Sequence, residues 1–526
     1  MQELLVDYIV IFAKHRFDVG YNTELKVKLT PAHDLPAYVQ SPPTPIHLRD
    51  EILLELALMQ YYGIVTLLPN SKYSSPIFAQ RKSSGKLRIL IDLRRVSHLL
   101  RNDYSNNNFP ISNMIDAVHH FAGKTLFTKL DCSQAYHCVQ MADPLSVQLL
   151  SFNFASRTYA YTRLAQGLNK SVTGFSSFVR SYLDSCLAAN LCTQFMDDIG
   201  CGVETFEQMI PTLRQIFDCL RKSGLRLTPH KCEFGMTSIN FLGNTITPQG
   251  LKPETEKIEK FLKTMKLPAT VRQVKRLVGF VLFFRSFLQN LAQNLMPWYK
   301  LLRKDVEFEL QDDHLKSFET IKKDLLQATK TTLRLAKPGQ QYVILCDASY
   351  YSSGFVLMIE DYLVEKDGKK KQAYAPVSFG SQLFNTSQLK MSTYCKEFLA
   401  LYFALEHFSH FIWGAEKPAI VLTDNKSLTS FFQSKSLHPS LWNFMDRVIA
   451  YNIVLAHIPG KANAAADFLS RMQTDPNESL DLQLVDSIPM KQIEIDMKAK
   501  TPDASMLAIE LVQEVEAKPT VPKDLI

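Results

Sequence analysis

The sequence predicts a multidomain α+β protein, and three observations predict it. Its 526 residues exceed what one hydrophobic core organises. From Pro76 to Lys222, strand and helix patterns alternate, with some strands joined by hairpin signals. After the break at Pro338-Gly339 a continuous apolar run, Tyr342 to Cys346, reads as a strand buried on both faces and opens a new α/β domain near residue 335. With 46% hydrophobic and 21% charged residues, the chain has the composition of an ordinary soluble globular protein.

The elements follow in order. Residues 1–48 carry a short amphipathic stretch, Leu4 to Phe12, and then Pro31, Pro36, Pro42, Pro43 and Pro45. Proline at that density favours extended backbone, so the segment reads as a strap lying on another domain or as a linker. From Arg49 the apolar spacing turns helical. A hairpin follows, with strands Pro76 to Gln80 and Leu87 to Ile91 around a polar turn at Ser83-Ser84-Gly85. Further strands fit Thr125 to Leu130, Gln148 to Phe154 and Thr158 to Arg163; helices fit Val172 to Ala188 and Glu207 to Lys222. Between Pro253 and Leu302 the pattern is helical, with Val274, Leu277, Val278, Val281 and Leu282 on one broad apolar stripe. Glu365 to Lys371 holds four lysines, read as a solvated hairpin loop. Beyond Arg471 the chain is acidic, contains prolines and lacks aromatics, as a linker or tail does. The expected domains are therefore 1–48, 49–247, 248–335, 336–472 and 473–526.

Charge and cysteine usage narrow the class. The 59 Lys and Arg against 52 Asp and Glu leave a net +7, which favours a polyanionic partner only where the charges cluster. Nine scattered cysteines without a CxxC pair argue for free thiols in a reducing compartment, and against a disulfide frame or a structural zinc site. No signal peptide opens the chain. Its longest apolar run, Leu56 to Leu68, is broken by Gln60 and is too short to span a bilayer. The expectation is a soluble intracellular protein without a membrane partner.

The chemistry begins with Phe195-Met196-Asp197-Asp198-Ile199, two adjacent acids among apolar residues just before Gly200 and Gly202. Such acids are costly unless a cation or hydrogen bonds compensate them. Taken alone, the pair reads equally well as a solvated turn, because Asp is favoured there. A second element shifts the balance: Leu126 to Leu130 is an apolar strand that delivers Asp131 at its end. A strand-end Asp and an Asp pair in a tight hairpin can together bind two divalent cations about 3.5–4 Å apart. Such ions activate an attacking 3′ oxygen and stabilise charge on a transferring phosphoryl group. Carboxylate oxygens with water suit Mg²⁺ or Mn²⁺ rather than zinc.

Here the sequence resembles a known family. Phe195-Met196-Asp197-Asp198 is similar to the aromatic-x-Asp-Asp box of reverse transcriptases, and Leu130-Asp131 with Ala135-Tyr136 resembles the strand carrying their third catalytic acid. Tyr73-Ser74-Ser75-Pro76, Gly85-Lys86-Leu87-Arg88 and Asp92-Leu93-Arg94 resemble the fingers of retroviral and gypsy-class LTR-retrotransposon enzymes. Leu164-Ala165-Gln166-Gly167-Leu168 resembles their Leu-Pro-Gln-Gly or Met-Pro-Phe-Gly segment. Phe241-Leu242-Gly243, after His230-Lys231-Cys232-Glu233-Phe234, resembles the hairpin that holds the primer end; Gly279 to Phe287 and Pro297 to Leu302 resemble the gypsy-class connection. Two departures stand out: Val172 where relatives have proline, and Phe195 where they usually have tyrosine. Neither removes a metal ligand.

The resemblance implies a right-hand polymerase with fingers, palm, thumb and a helical connection. It implies that Asp131, Asp197 and Asp198 are catalytic metal ligands, and that Lys86 and Arg88, with Arg81 nearby, bind the phosphates of the incoming nucleotide. Tyr136 would lie under the nucleotide sugar and exclude a 2′-hydroxyl, and Gln166 would contact the nucleotide or the paired base. Phe241, Leu242 and Gly243 would bind the primer. Without the acids, the three basic residues read as a charged surface hairpin, and Tyr136 as a half-buried core tyrosine.

A second set of acids follows the break. Asp347 ends its apolar strand. Glu397 lies in a helical run, Tyr394 to Phe408, with Ala400 and Ala404 on its side, small enough to let the helix lie close to a sheet. Asp424 ends a short strand, Ile420 to Thr423, and Asp467 follows His457-Ile458-Pro459-Gly460-Lys461-Ala462-Asn463. Each acid alone reads as a cap or a surface group. Together they resemble the Asp-Glu-Asp-Asp set of ribonuclease H, which implies an α/β domain holding two Mg²⁺ ions that hydrolyses the RNA strand of RNA–DNA hybrids. His457 resembles that family's mobile histidine, assisting proton transfer and product release.

The expected whole is a gypsy-class polymerase with ribonuclease H. Its partners would be an RNA template, a DNA primer, RNA–DNA hybrid and deoxynucleoside triphosphates; its cofactor would be Mg²⁺, two ions per active site, with Mn²⁺ as an alternative. A homodimer is compatible with this, and the expected location is the cytoplasm within retroelement particles, with access to the nucleus. No Asp-[Ser/Thr]-Gly protease motif, zinc cluster or integrase acids are seen, so the element's other enzymes are expected outside this chain. The rival readings are a copy that binds nucleic acid without catalysis and a scaffolding subunit.

Overall fold

The computed structural model describes residues 1–458 apart from 23, 34–37, 40, 43–45, 82–84, 86, 101–112, 290, 365–369 and 430–440. The chain forms two compact units, Met1–Leu242 with Ile246–Pro248, and Gly243–Thr245 with Gln249–Ile526. None of the described helices is long and apolar enough to cross a membrane.

In the first unit, α1 (Gln2–Asp7) and α2 (Arg49–Tyr61) precede β1 (Val65–Leu67) and the hairpin β2 (Ile77–Arg81) and β3 (Leu87–Ile91). That hairpin pairs Ile77 with Ile91 and Arg81 with Leu87. Next come α3 (Arg94–Leu99), α4 (Met114–His119), β4 (Leu126–Asp131) and α5 (Pro144–Leu149). The strand expected from Gln148 starts later, as β5 (Ser151–Phe154), because Asp143 caps a helix through Ser146 N and Pro144 sits at its first position. That short helix takes up Gln148. β6 (Arg157–Tyr161) returns through a two-residue turn, Ala155-Ser156, whose positive φ values of 49° and 61° match the twist of a tight hairpin.

α6 (Asn169–Ala188) begins three residues before the apolar pattern suggested, with Ser171 Oγ donating to Ala165 O at 2.6 Å. The hairpin β7 (Thr193–Phe195) and β8 (Asp198–Val203) follows, then α7 (Phe206–Ser223), β9 (Glu233–Met236) and β10 (Ile239–Phe241). A capping box between Thr205 and Gln208 starts α7, and Gly224 ends it in the left-handed region at φ 73°. The central sheet has the order β9-β4-β8-β7, all antiparallel. Its Leu130, Ile199 and Cys201 share one core with Phe175 and Leu183 of α6 and with Ile216 and Phe217 of α7.

The N-terminal segment belongs to this core. Leu4, Tyr8, Ile11, Phe17, Val19 and Leu29 are buried in it. Phe12 bridges Leu227, which in turn bridges Cys132, the residue after Asp131.

In the second unit a short strand, Gly250–Pro253, leads into the helices α8 (Thr255–Thr264), α9 (Val271–Phe283), α10 (Leu291–Lys300) and α11 (Asp312–Ala328). There follow β11 (Tyr342–Ala348), β12 (Ser352–Val364), β13 (Lys370–Leu383), α12 (Thr393–His407), β14 (Ala419–Thr423), α13 (Trp442–Ile449) and β15 (Ile453–His457). The sheet order is β13-β12-β11-β14-β15, with β11, β14 and β15 parallel and β12 antiparallel to both its neighbours. Alternation along β11 sends Val343 and Leu345 to a core with Trp298 and Phe318 of the helical block, and Ile344 and Cys346 to a core with Phe398 and Leu401 of α12. A strand covered on both faces must be apolar at every position, which is why no alternation is visible in its sequence. Trp298 is fully buried and donates its indole N–H to Ser317 Oγ at 2.8 Å.

Candidate active sites

The first site forms where three strands of the central sheet end. β7 and β8 are joined by Met196-Asp197 alone, with Phe195 paired to Asp198. Met196 takes φ 55°, a left-handed conformation uncommon for a side chain with Cβ, and Gln194 Nε2 donates to its carbonyl at 2.6 Å. The register of β8 against β4 then sets Asp198 directly across from Asp131. Asp197 is exposed at the tip, while Asp131 and Asp198 are half-buried. Burial pushes the Asp198 carboxyl above the usual range; the Lys129 ammonium opposes this, and the charges of Asp197 and Asp131 add to it.

Lys231, which the sequence reading left without a role, supplies a counter-charge. Its Nζ lies 3.1 and 3.2 Å from the two oxygens of Asp131. Lys231 closes the short 3-10 turn Pro229–Lys231, which lies between the Leu227–Cys132 bridge and the Glu233–Lys129 pair, so the turn and not strand register places this lysine.

A cavity of about 640 Å³ opens here, lined by Arg88, Asp131, Gln166, Asp197 and Lys231 and, on the N-terminal segment, by Ala13–Phe17. Arg88 Nη2 donates to Gln166 Oε1, tying the β2–β3 hairpin to the loop before α6. Tyr136 is half-buried with its ring 4.8 Å from that of Phe175; burial and then the Asp197 charge raise its hydroxyl pKa. Arg81 is engaged elsewhere. It pairs with both oxygens of Glu51 on α2, at 2.6 and 3.2 Å, and bonds Gly85 O at 3.0 Å. Lys86 lies outside the described residues.

The residues read as primer-binding divide. Phe241 is fully buried with its ring 5.3 Å from Phe121, so it anchors the turn from within the core and offers no surface to a ligand. Leu242 and Gly243 form that turn with φ 49° and 78°. A Cβ on Gly243 would stand 2.6 Å from Phe283 Cζ, so the position admits only glycine.

The second site is more compact. Carboxylate oxygens of Asp347, Glu397 and Asp424 all lie within 4.8 Å of one another, and among the described residues no other group of three comes this close. Asp347 is 5% exposed and Glu397 6%. Parallel pairing of Leu345 with Leu422 carries forward to level Asp347 with Asp424. Fully buried Ala400 and Ala404 let α12 settle on the sheet and present Glu397. His457 ends β15, paired with Thr423 beside Asp424. Asp467 lies outside the described residues.

Both sets are hard oxygen donors, as Mg²⁺ requires. Three carboxylates gathered within 4.8 Å repel one another, and a divalent cation offsets that repulsion, so the second set fits such an ion. At the first set Lys231 holds the place of a cation on Asp131.

Comparison with known proteins agrees with this geometry. A family model described as reverse transcriptase (RNA-dependent DNA polymerase) matches residues 80–246, and one described as the RNase H-like domain found in reverse transcriptase matches residues 337–451. The retrovirus-related Pol polyprotein from transposon 412 of Drosophila melanogaster is 27% identical over 482 residues, 90% of this chain and 37% of that protein. The Transposon Tf2-3 polyprotein of Schizosaccharomyces pombe is 26% identical over 407 residues, 76% of this chain and 29% of that protein. The chain spans less than half the length of the curated relatives it matches. Among solved structures, the foamy viral protease-reverse transcriptase in complex with dsDNA has a TM-score of 0.73 at 19% identity, covering 87% of this chain and 92% of that one. The same protein in complex with RNA/DNA hybrid has a TM-score of 0.71 at 18% identity, covering 91% and 62%. At that identity the likeness is one of fold.

Proposed function

This chain carries a reverse transcriptase domain joined to a ribonuclease H-like domain of the LTR-retrotransposon Pol kind, and from that premise we propose that it copies an RNA or DNA template into DNA and cleaves the RNA strand of the resulting hybrid. The observation that carries the reading is the cross-strand pairing of Asp131 with Asp198, with Asp197 at the adjoining hairpin tip.

Asp131, Asp197 and Asp198 would hold Mg²⁺, two ions with Mn²⁺ as the alternative; when bound, the metal supplies activation of the primer 3′ oxygen and charge neutralisation at the phosphoryl group. The chain's own residues do the rest. Arg88 offers a planar guanidinium to the triphosphate, and Gln166, which accepts its hydrogen bond, sets its direction. Tyr136, braced on Phe175, forms the floor beneath the sugar. In the second domain Asp347, Glu397 and Asp424, and by resemblance Asp467, would hold a further Mg²⁺ pair, and His457 would move a proton at the rim.

Template and primer bind by backbone contacts and A-form shape, with base pairing supplying sequence. Deoxynucleoside triphosphates are the substrates. Dimerisation and residence in cytoplasmic retroelement particles belong to the same reading.

With Mg²⁺, the protein is expected to extend a DNA primer on an RNA template, and Asp197→Asn to abolish extension. Equal inactivity of wild type and variant, both folded, would leave binding without catalysis as the function.

A further inference from the structure

Beyond Asp347, the turn from β11 to β12 presents two aromatic rings to solvent. Tyr350 is 64% exposed and Tyr351 44%, their centroids 4.7 Å apart at an interplanar angle of 80°. The turn beneath them is tightly held. Ser349 N donates to Ser352 O at 2.8 Å, Ser349 Oγ to the same oxygen at 2.9 Å, and Phe384 N to Tyr351 O at 2.9 Å.

Lys396 adds a further tie. It is 6% exposed, donates Nζ to Tyr350 O at 3.2 Å, and stands 4.2 Å from the centroid of the Tyr350 ring. Burying a lysine is costly, and a cation over a ring is worth most where water is excluded. Lys396 also directly precedes Glu397 on α12, so one stretch of helix both presents a carboxylate to the acid cluster and clamps an exposed tyrosine beside it.

The geometry points to Tyr350 and Tyr351 as a wall that positions the RNA strand of an RNA–DNA hybrid at the Asp347–Glu397–Asp424 cluster, an assignment that rests on the ribonuclease H reading above. Three acids repel a polyanion, so affinity must come from neutral or cationic surfaces around them. A hybrid with A-form shape turns a wide, shallow groove of riboses and base edges outward, and aromatic faces pack on such surfaces without regard to sequence. Rings held rigid before binding lose little freedom on contact, so their contribution goes to placing the scissile phosphate.

The test uses the full chain with Tyr350→Ala and Tyr351→Ala combined, assayed with a defined RNA–DNA hybrid in Mg²⁺. KM for hybrid cleavage is expected to rise about ten-fold while kcat stays within about two-fold, the scale of lost apolar packing on the groove. Primer extension on an unstructured template is expected to be unchanged. Tyr350→Phe with Tyr351→Phe keeps both rings, including the one over Lys396, and is expected to restore the wild-type KM. A wild-type KM in the double alanine variant overturns the proposal, as does a fall in primer extension parallel to that in cleavage. Asp424→Asn separates the two readings: if that variant cleaves hybrid as the wild type does, the ribonuclease H assignment itself fails; if it is inactive while the alanine variant cleaves normally, only the tyrosine wall is lost.

Discussion

Asp131 and Asp198 face each other across neighbouring antiparallel strands, 67 positions apart in sequence and adjacent in the sheet. Burial disfavours the charge on Asp198, and Asp131 pairs with Lys231. The pairing prepares a place for positive charge, and Lys231 supplies part of it.

That ion pair leads to the first prediction. Lys231→Met frees both oxygens of Asp131, and Mn²⁺ binding to the palm should tighten about two- to five-fold, the range that an exposed ion pair commands. Calorimetric titration in an Asp424→Asn background isolates the palm. Unchanged affinity would show that Lys231 does not compete with the ion.

The two acid clusters are built on separate sheets in separate units, so their activities should part cleanly. Asp424→Asn should stop hybrid cleavage and leave primer extension within about two-fold, as expected of sites that share no partners. Asp197→Asn should do the reverse. Loss of both activities from either change would mean that the sites act as one.

Gly224 tests how firmly the N-terminal segment is docked. It adopts φ 73°, accepts Tyr21 N at 3.2 Å through its carbonyl, and would carry a Cβ 2.2 Å from Tyr21 O. Gly224→Ala should cost about 2–4 kcal/mol from left-handed strain and overlap together. Urea unfolding measures this; a loss under about 0.5 kcal/mol, typical of an unconstrained surface site, would mean that the segment yields freely.

His137 predicts a pH dependence. Burial, with Arg163 adding to it, lowers its imidazole from 6.5 to about 4, against a raising hydrogen bond to Leu164 O. The folded protein therefore keeps this group neutral while the unfolded chain takes up a proton. Stability is full above the unfolded value and falls as pH drops through the window from 6.5 to about 4, by about 3 kcal/mol at its lower end. His137→Gln should flatten that slope in unfolding curves at pH 7, 6 and 5; an unchanged slope would assign the dependence to other groups.

How much was legible can be judged element by element. The strand ending at Asp131, the hairpin from Ile77 to Ile91, and the strand from Tyr342 are visible because apolar pattern and turn residues are local. Gln148 was misplaced because Asp143-Pro144, a helix start, lies upstream of a stretch that also suits a strand. Phe241 looked available to a primer because its motif is conspicuous, while its burial against Phe121 depends on a residue 120 positions earlier.

The sequence by itself determined the candidates for chemistry: acids at the ends of apolar strands, where unpaired charge is costly. Only the tertiary structure decided which of them meet, that Lys231 answers Asp131, that Arg81 turns to Glu51 while Arg88 turns to Gln166, and that Lys396 grips Tyr350 beside Glu397. The physical reason is that local pattern governs the type of each element, whereas strand register and the packing of helices on sheets, settled by contacts between distant segments, govern which side chains share a space.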